Sequence, residues 1–364
     1  MRNVALNKLI ALLAIVALAI GVAACGSEDN GGGGTGTSGG ASTSSTTSGG
    51  GGGETVTKIA FASPEKGNDF GWNQQGVEAA RDVARDMGLD IEVADGSGYD
   101  NVDPILGQLA GNGAQLVIAH ASGYNASAAD VAVRTQVPMM SWDNPEGLEP
   151  GLVGDAETNS QQGAYLAGVL AARTSRSGTL GIVTSADDTN WNKMSGGFIA
   201  GARSIDPNVR ILSAQIGQAG YADAAGGKRV TQTLIAGGAD IIFGMGDGSS
   251  FGMLQAVEQA NGVSFIDVIG DKSSIDRQRV LLSSVVWDFR PAFRQAVEDV
   301  DNGTFGEHTY TLDLANGGIS LLRTDQGSAA AWSAVAQAQR GIEDGSIKVP
   351  LTSRKDQVEA LLKQ

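Results

Sequence analysis

The chain has 364 residues, 41% hydrophobic and 18% charged, with 40 Asp and Glu against 25 Lys and Arg. At roughly 150 residues per domain, that length suggests about two domains with room for a sizeable core. A formal net charge of −15 argues against nucleic acid as a partner, because phosphate affinity comes mainly from Lys and Arg. One cysteine excludes an internal disulfide, and two histidines, His120 and His308, leave no basis for a Cys/His zinc site. No D-x-D-x-D-G calcium loop is present either, so neither a metal nor a cofactor is expected.

Arg2 and Lys8 precede an uncharged apolar run, Leu9 to Val22. That run is short for a transmembrane helix and suits the h-region of a secretory signal. It ends in Val22-Ala23-Ala24-Cys25, small residues directly before the only cysteine, and this resembles a bacterial lipobox. Residues 1–24 then form a lipoprotein signal peptide, and Cys25 becomes a lipidated N-terminus. The expected location is the extracytoplasmic face of the cell membrane, reached by export and held by the lipid alone. Residues 25–54 add a Gly/Ser/Thr linker with almost nothing to bury, which composition makes a flexible tether.

From Thr55 onward short β-runs alternate with amphipathic helical stretches, the pattern of an α/β fold with right-handed crossovers. Lys58–Ser63 reads as a strand, followed by a helix from about Asn73 to Met87 that Gly88 ends. Leu116–Ala119 is a continuous apolar run, as a parallel strand buried on both faces requires. Glu157–Arg173 reads as a helix, and Thr179–Val183 begins the same succession again. Two echoes support a repeat. Leu109–Ile118 lines up with Leu234–Phe243, each a helix end, a glycine turn and a buried strand. Trp72-Asn73 and Trp191-Asn192 each follow the first strand of a half and open its first helix. Open α/β sheets bind ligands at the carboxyl ends of their strands, so two facing lobes would bring both indoles to one cleft. A flat ring held between them gains roughly 1–3 kcal/mol from stacking. Each Trp is also readable as core packing or a loop anchor.

The lipobox, the Ser/Gly linker, Asp69-Phe-Gly-Trp72-Asn73 and Gly-Ala-Asp-Ile-Ile-Phe243 together resemble the basic membrane protein family of lipoproteins. These are substrate-binding proteins of ABC transporters and include purine nucleoside receptors. The resemblance implies a type I periplasmic-binding-protein fold: two Rossmann-like lobes joined by a hinge, with ligand between them. It places the first lobe at 55–154 plus about 283–308, and the second at 155–282 plus about 309–325. Residues 326–364 form a C-terminal helical tail over one lobe. Trp72 takes the family's aromatic stacking position, with Asn73 beside it and Asp69 as a polar contact. Ser122 and Tyr124 fall in the first-lobe cleft loop, and Trp191 is the opposing aromatic face. Asp247 and Asp271 follow second-lobe strands as acceptors for hydroxyl or amine hydrogens. Each of these aspartates is also readable as a helix N-cap or a solvated loop carboxylate.

Two departures bear on the ligand. Where nucleoside-binding members usually carry a Lys, after a segment resembling Leu282–Val286, this chain has Trp287. The usual Val-Asp-x-Asp after Ile-Gly is altered to Asp271-Lys-Ser-Ser274. An indole in place of an ammonium favours a bare purine nucleobase, or another flat heterocycle, over a nucleoside. Enzyme readings find no support, since the chain lacks a G-x-S-x-G elbow, an HExxH, a P-loop and a cysteine nucleophile. Gly244–Gly248 lacks dinucleotide-binding spacing, and His120 reads as a wall residue of the cleft. The expected partners are a small-molecule ligand and an ABC permease, with the protein a monomer. A sugar-binding or sensory member of the same fold is the alternative, and a surface adhesin the third reading.

Overall fold

The computed structural model describes residues 55–364 except Ala219; the proposed signal, Cys25 and the linker lie outside the described residues. Its strands form two six-stranded sheets built in the same order. The first contains β1 (Lys58–Ser63), β2 (Asp90–Asp95), β3 (Leu116–Ala119), β4 (Met139–Trp142), β5 (Val153–Thr158) and β11 (Thr309–Leu312), arranged 2-1-3-4-5-11 and parallel throughout. The second contains β6 (Thr179–Thr184), β7 (Arg210–Gln215), β8 (Ile241–Met245), β9 (Ser264–Ile269), β10 (Leu281–Trp287) and β12 (Ile319–Leu321), arranged 7-6-8-9-10-12. Only β12 runs antiparallel, against β10. The internal repeat read from the sequence is thus a repeat of strand order.

Local chemistry explains the elements. Leu116-Val-Ile-Ala119 is buried at every position because helices cover both faces of its sheet. Helix α1 (Trp72–Met87) buries Gly76, Val77, Ala79, Ala80, Val83 and Ala84, the spacing of one helical face. It ends at Gly88, whose φ of 73° lets Leu89 N–H turn back to the Ala84 carbonyl at 2.8 Å. Helices α2 (Asp103–Gly111) and α3 (Asn125–Thr135) cover the outer face of the first sheet, as α6 (Ala224–Ala236) and α7 (Ser250–Glu258) cover that of the second.

At the centre of the second lobe, α4 (Ser160–Thr174) and α5 (Thr189–Ile205) cross with their backbones almost touching. Glycine makes this possible. A Cβ on Gly168 would lie 2.1 Å from the Phe198 carbonyl oxygen, and one on Gly201 would lie 2.0 Å from that of Tyr165.

The chain passes between lobes three times, and the observed passages move several boundaries. The first comes after β5, at Thr158–Ser160, later than residue 154, because Val153–Thr158 is paired with β4 in the first sheet. Residues 157–158 are therefore strand, not the start of the following helix. Strand β10 is an inner strand of the second sheet, which places residues 283–287 in the second lobe rather than the first; the passage follows Trp287. Helix α8 (Arg290–Asn302) then packs on α1 and β3 of the first lobe. Strand β11 pairs with β5, which places 309–312 in the first lobe rather than the second; the third passage lies between Leu312 and Ile319. Backbone bonds tie the passages to one another, from Asn159 N–H to the Leu312 carbonyl and from Asp288 N–H to that of Gly318, both 2.8 Å. Tail helices α9 (Ala329–Glu343) and α10 (Lys355–Leu362) lie on α4 and α5 of the second lobe. Among the described residues no helix is long and apolar enough to cross a membrane.

Replacing Gly201 by Ala forces a methyl into the Tyr165 backbone, and overpacking of this kind costs about 1–3 kcal/mol. Urea unfolding should show the loss as a lower midpoint at constant slope. An unchanged midpoint would mean that α4 and α5 are not held at this distance.

Candidate ligand-binding cleft

Between the lobes lies a cavity of about 190 Å³, walled by strand ends and the loops that follow them. The first lobe contributes Glu65, Trp72 and Asn73 after β1, Tyr99 after β2, and the Ala121–Gly123 turn after β3. The second contributes Asp188, Asn190 and Trp191 after β6, Tyr221 after β7 and Asp247 after β8. Ile269 and Trp287, the last residues of β9 and β10, complete it. Equivalent loops of the two halves thus face each other, as the shared strand order requires.

Trp72 is held on one face and at its N–H. Its indole stacks on the His120 imidazole, with centroids 4.2 Å apart and planes 17° from parallel. The indole N–H donates to the His120 carbonyl at 2.9 Å, and His120 Nε2 donates back to the Trp72 carbonyl at 3.1 Å. A carbonyl only accepts, so Nε2 carries the ring proton. Complete burial pushes the His120 pKa down to about 3, so the imidazole is neutral. Gly76 makes room for it, since a Cβ there would lie 2.3 Å from Nε2. His120 is a wall behind Trp72, with no polar group of the cleft against it. Trp287 meets Trp72 edge-on at 6.0 Å and 79°, so the two indoles form a corner.

Helix N-termini fix the other groups. Asp188 caps α5, its Oδ1 accepting the N–H of Asn190 at 2.8 Å and of Trp191 at 3.3 Å, while Oδ2 accepts the Tyr221 hydroxyl at 3.0 Å. Trp191 points its indole N–H to Ser185 Oγ at 2.9 Å. Asn190 reaches the first lobe, its Nδ2 donating to Asp143 Oδ2 at 3.2 Å, and Ser122 Oγ donates to the same oxygen at 2.6 Å.

Asp247 also spans the cleft, its Oδ1 accepting the backbone N–H of Trp72 at 3.1 Å. Burial, then the nearby Asp69 carboxylate, pushes its pKa up to about 7; the Trp72 N–H and Lys272 pull the other way. Burial likewise raises Asp188, and burial with Asp69 raises Glu65.

Six of the nine expected side chains line the cavity: Trp72, Asn73, Ser122, Trp191, Asp247 and Trp287. Three do not. Tyr124 is fully buried in the first lobe, its hydroxyl on the Gly98 carbonyl, because the turn after β3 continues directly into α3. Asp69 lies behind the cleft as the cap of α1, both oxygens taken by Gly71, Asn73 and Gln74. Asp271 is exposed and closes a turn onto the Ser273 N–H at 2.7 Å. The residue that turns inward there is Lys272, fully buried against Asp267 at 2.5 Å.

Sequence reading missed Glu65, Tyr99, Asp188, Asn190 and Tyr221. A third echo marks the tyrosines: Gly98-Tyr99 and Gly220-Tyr221 each follow the second strand of a half.

Residues 56–352 match the family model for PnrA-like ABC transporter substrate-binding proteins. The chain belongs to that family. Among curated relatives, an ABC transporter nucleoside-binding protein of Lactococcus lactis subsp. cremoris is 25% identical over 214 residues. That alignment spans 54% of this chain and 60% of the relative. A purine-binding protein of Brucella abortus is 24% identical, over 74% of this chain and 75% of its own length. An ABC transporter solute-binding protein from Aeropyrum pernix shares the fold with a TM-score of 0.72 at 17% identity, covering 85% of this chain and 96% of that one. The family is one of binding proteins, not enzymes.

The raised Asp247 sets a pH dependence. Between its ordinary value of 3.8 and about 7, the native state keeps a proton that the unfolded chain has released. Stability therefore falls as pH rises through that window. Asp247→Asn should reduce the slope by up to one proton; Asp155, which burial also pushes up to about 7, and the raised Asp188, Asp267 and Glu65 supply what remains. Urea midpoints across the window measure this, and equal slopes in both proteins would place Asp247 in water.

Proposed function

We propose that this protein is the extracytoplasmic solute receptor of an ABC importer, anchored by lipid at Cys25. It captures a purine nucleobase or nucleoside by stacking it on Trp72 and closing the two lobes around it. The fixed position of Trp72 carries this reading: His120 covers one face of the indole and holds its N–H, and the ring lines a cleft shared by both lobes. A pre-oriented ring loses little freedom when a ligand stacks on it. Acceptors stand around it for the exocyclic N–H groups of a base, Asp247 and Glu65 among them. The nucleoside- and purine-binding names of two relatives point the same way.

Cavity size favours the base over the nucleoside. About 190 Å³ is below the roughly 300–1,000 Å³ of pockets for drug-sized ligands. Trp287, in the position where the family resemblance leads one to expect a Lys, fills space with apolar surface. Closure follows from the groups that bridge the cleft, since ligand contacts on both lobes add to a state in which Asp247 and Asn190 already span it.

Thermal unfolding of the protein, first unfolded and refolded to strip bound ligand, tests this. Adenine at about 100 times its dissociation constant should add about 2.7 kcal/mol and raise the midpoint by several degrees. Adenosine should act only at higher concentration, and simple sugars should have no effect. Trp72→Ala should weaken adenine binding by about 1–3 kcal/mol. A midpoint raised by sugars and not by adenine would overturn the ligand class.

The anchor has a separate test. Cys25→Ser should move the protein from the membrane fraction to the soluble exported fraction, and a variant that stays membrane-bound would exclude lipid at Cys25.

A further inference from the structure

The cleft is lined by acids and aromatic rings and by no base. Glu65, Asp188 and Asp247 stand among Trp72, Tyr99, Trp191, Tyr221 and Trp287, and none of the lining residues is Lys, Arg or His. The cationic side chain that acts on Asp247 from behind is Lys272, and its charge is already committed. Its ammonium pairs with Asp267 at 2.5 Å with both side chains fully buried, and donates to the Phe70 carbonyl at 3.0 Å. His120, behind Trp72, is neutral. Lys272 and Asp267 cancel, which leaves the cavity with uncompensated carboxylates.

The three acids are not equivalent. Asp188 is answered by the N-terminus of α5 and by the Tyr221 hydroxyl. Asp247 spends one oxygen on the Trp72 N–H and has no other side-chain bond among the described residues. Neither Glu65 carboxylate oxygen is bonded to a described residue, though its backbone N–H is held by Asn73 Oδ1 at 3.2 Å. Two carboxylates therefore enter a closing cleft with acceptor capacity and no counter-charge, a costly state unless something positive joins them. Burial raises the proton affinity of both, the mark of carboxylates held without a counter-charge. The aromatic faces favour the same occupant, because the ring quadrupole attracts positive charge, most strongly at Trp.

We infer that the ligand of this cleft is a flat organic cation, a nitrogen heterocycle carrying positive charge, with Glu65 and Asp247 as its counter-charges. This rests on the reading that a planar ring stacks on Trp72, and it adds the ligand's charge to that reading. A neutral base leaves both carboxylates without a partner of opposite sign. A phosphorylated ligand meets three carboxylates and no cationic side chain.

N-methylquinolinium and 4-methylquinoline, equal in size and different in charge at mildly alkaline pH, separate charge from shape; adenine reports on the purine reading. Calorimetry on the ligand-stripped protein should give at least tenfold tighter binding of the quinolinium than of the neutral quinoline. Glu65→Gln, which keeps the shape of the side chain, should shrink that ratio several-fold, and Asp247→Asn should do the same. Equal or weaker binding of the quinolinium overturns the inference, and leaves the stacking proposal standing if adenine binds. A preference for the quinolinium with no adenine binding sustains the inference and removes the purine. Failure of all three probes to bind overturns both.

Discussion

The site depends on one carboxylate that crosses from lobe to lobe. Asp247 follows β8 in the second lobe, yet its Oδ1 is 3.1 Å from the backbone N–H that opens α1 in the first. The approach is close: a Cβ on Gly71 would fall 2.6 Å from that oxygen and displace it. A second crossing lies beside it, where Lys272 donates to the Phe70 carbonyl and a Cβ on Gly270 would lie 2.1 Å from the same oxygen. Phe70 and Ile269, one on each side of this seam, have φ of 52° and 67°. Such values cost of order 1–3 kcal/mol for bulky residues and persist only where surrounding contacts enforce them. The seam supplies those contacts, with Phe251 packing edge-on against Phe70 at 5.9 Å.

Much of this site is written twice in the sequence, which is why part of it can be read there. Asp69-Phe-Gly-Trp72-Asn73 and Asp188-Thr-Asn-Trp191-Asn192 place an Asp three residues before a Trp-Asn pair in both halves. Each Asp caps the helix that carries its Trp, so the spacing is a helix-start signal as well as a site signal. The sequence makes the two aspartates look alike, but packing separates them: Asp69 is sealed behind α1 while Asp188 reaches the cavity. Tyr99 and Tyr221 belong to the same duplication. They are harder to see because the loops after β2 and β7 lack the regular period of a helix or strand, and loop tyrosines are common.

What sequence could not supply are facts about long-range pairing. Strand β11 contains only Thr309–Leu312, and nothing in those four residues says which sheet takes them. Its partner, β5, lies about 150 residues earlier, and the register is set by the edge that β5 leaves open. The same holds at Asp271-Lys272. Neighbours in an extended segment point to opposite sides, and a charged pair gives no hydrophobic pattern from which to choose. The structure turns the Lys inward because Asp267 on β9 is already buried there and an unpartnered buried carboxylate is costly. Tyr124 is the reverse case: a loop aromatic near a cleft is drawn into the core when its hydroxyl finds a carbonyl, here Gly98.

Electrostatics and geometry meet at the seam. Bringing the lobes together removes water from Asp188, Asp247 and Glu65, which opposes closure, while the Trp72 N–H, the Phe70 carbonyl and the Phe70–Phe251 contact favour it. The balance between these terms sets how far the empty protein closes. A ligand shifts such a balance only by the difference in its affinity for the two states. On the proposed reading, groups on one lobe alone, such as the His120-backed indole, meet the ligand in either state and shift little. Groups whose cost arises on closing shift it most, because a ligand that relieves them interacts with the closed form alone. On the reading proposed above those groups are the carboxylates, and capture and closure are then coupled through the charge of the site more than through the stacking that orients the ring.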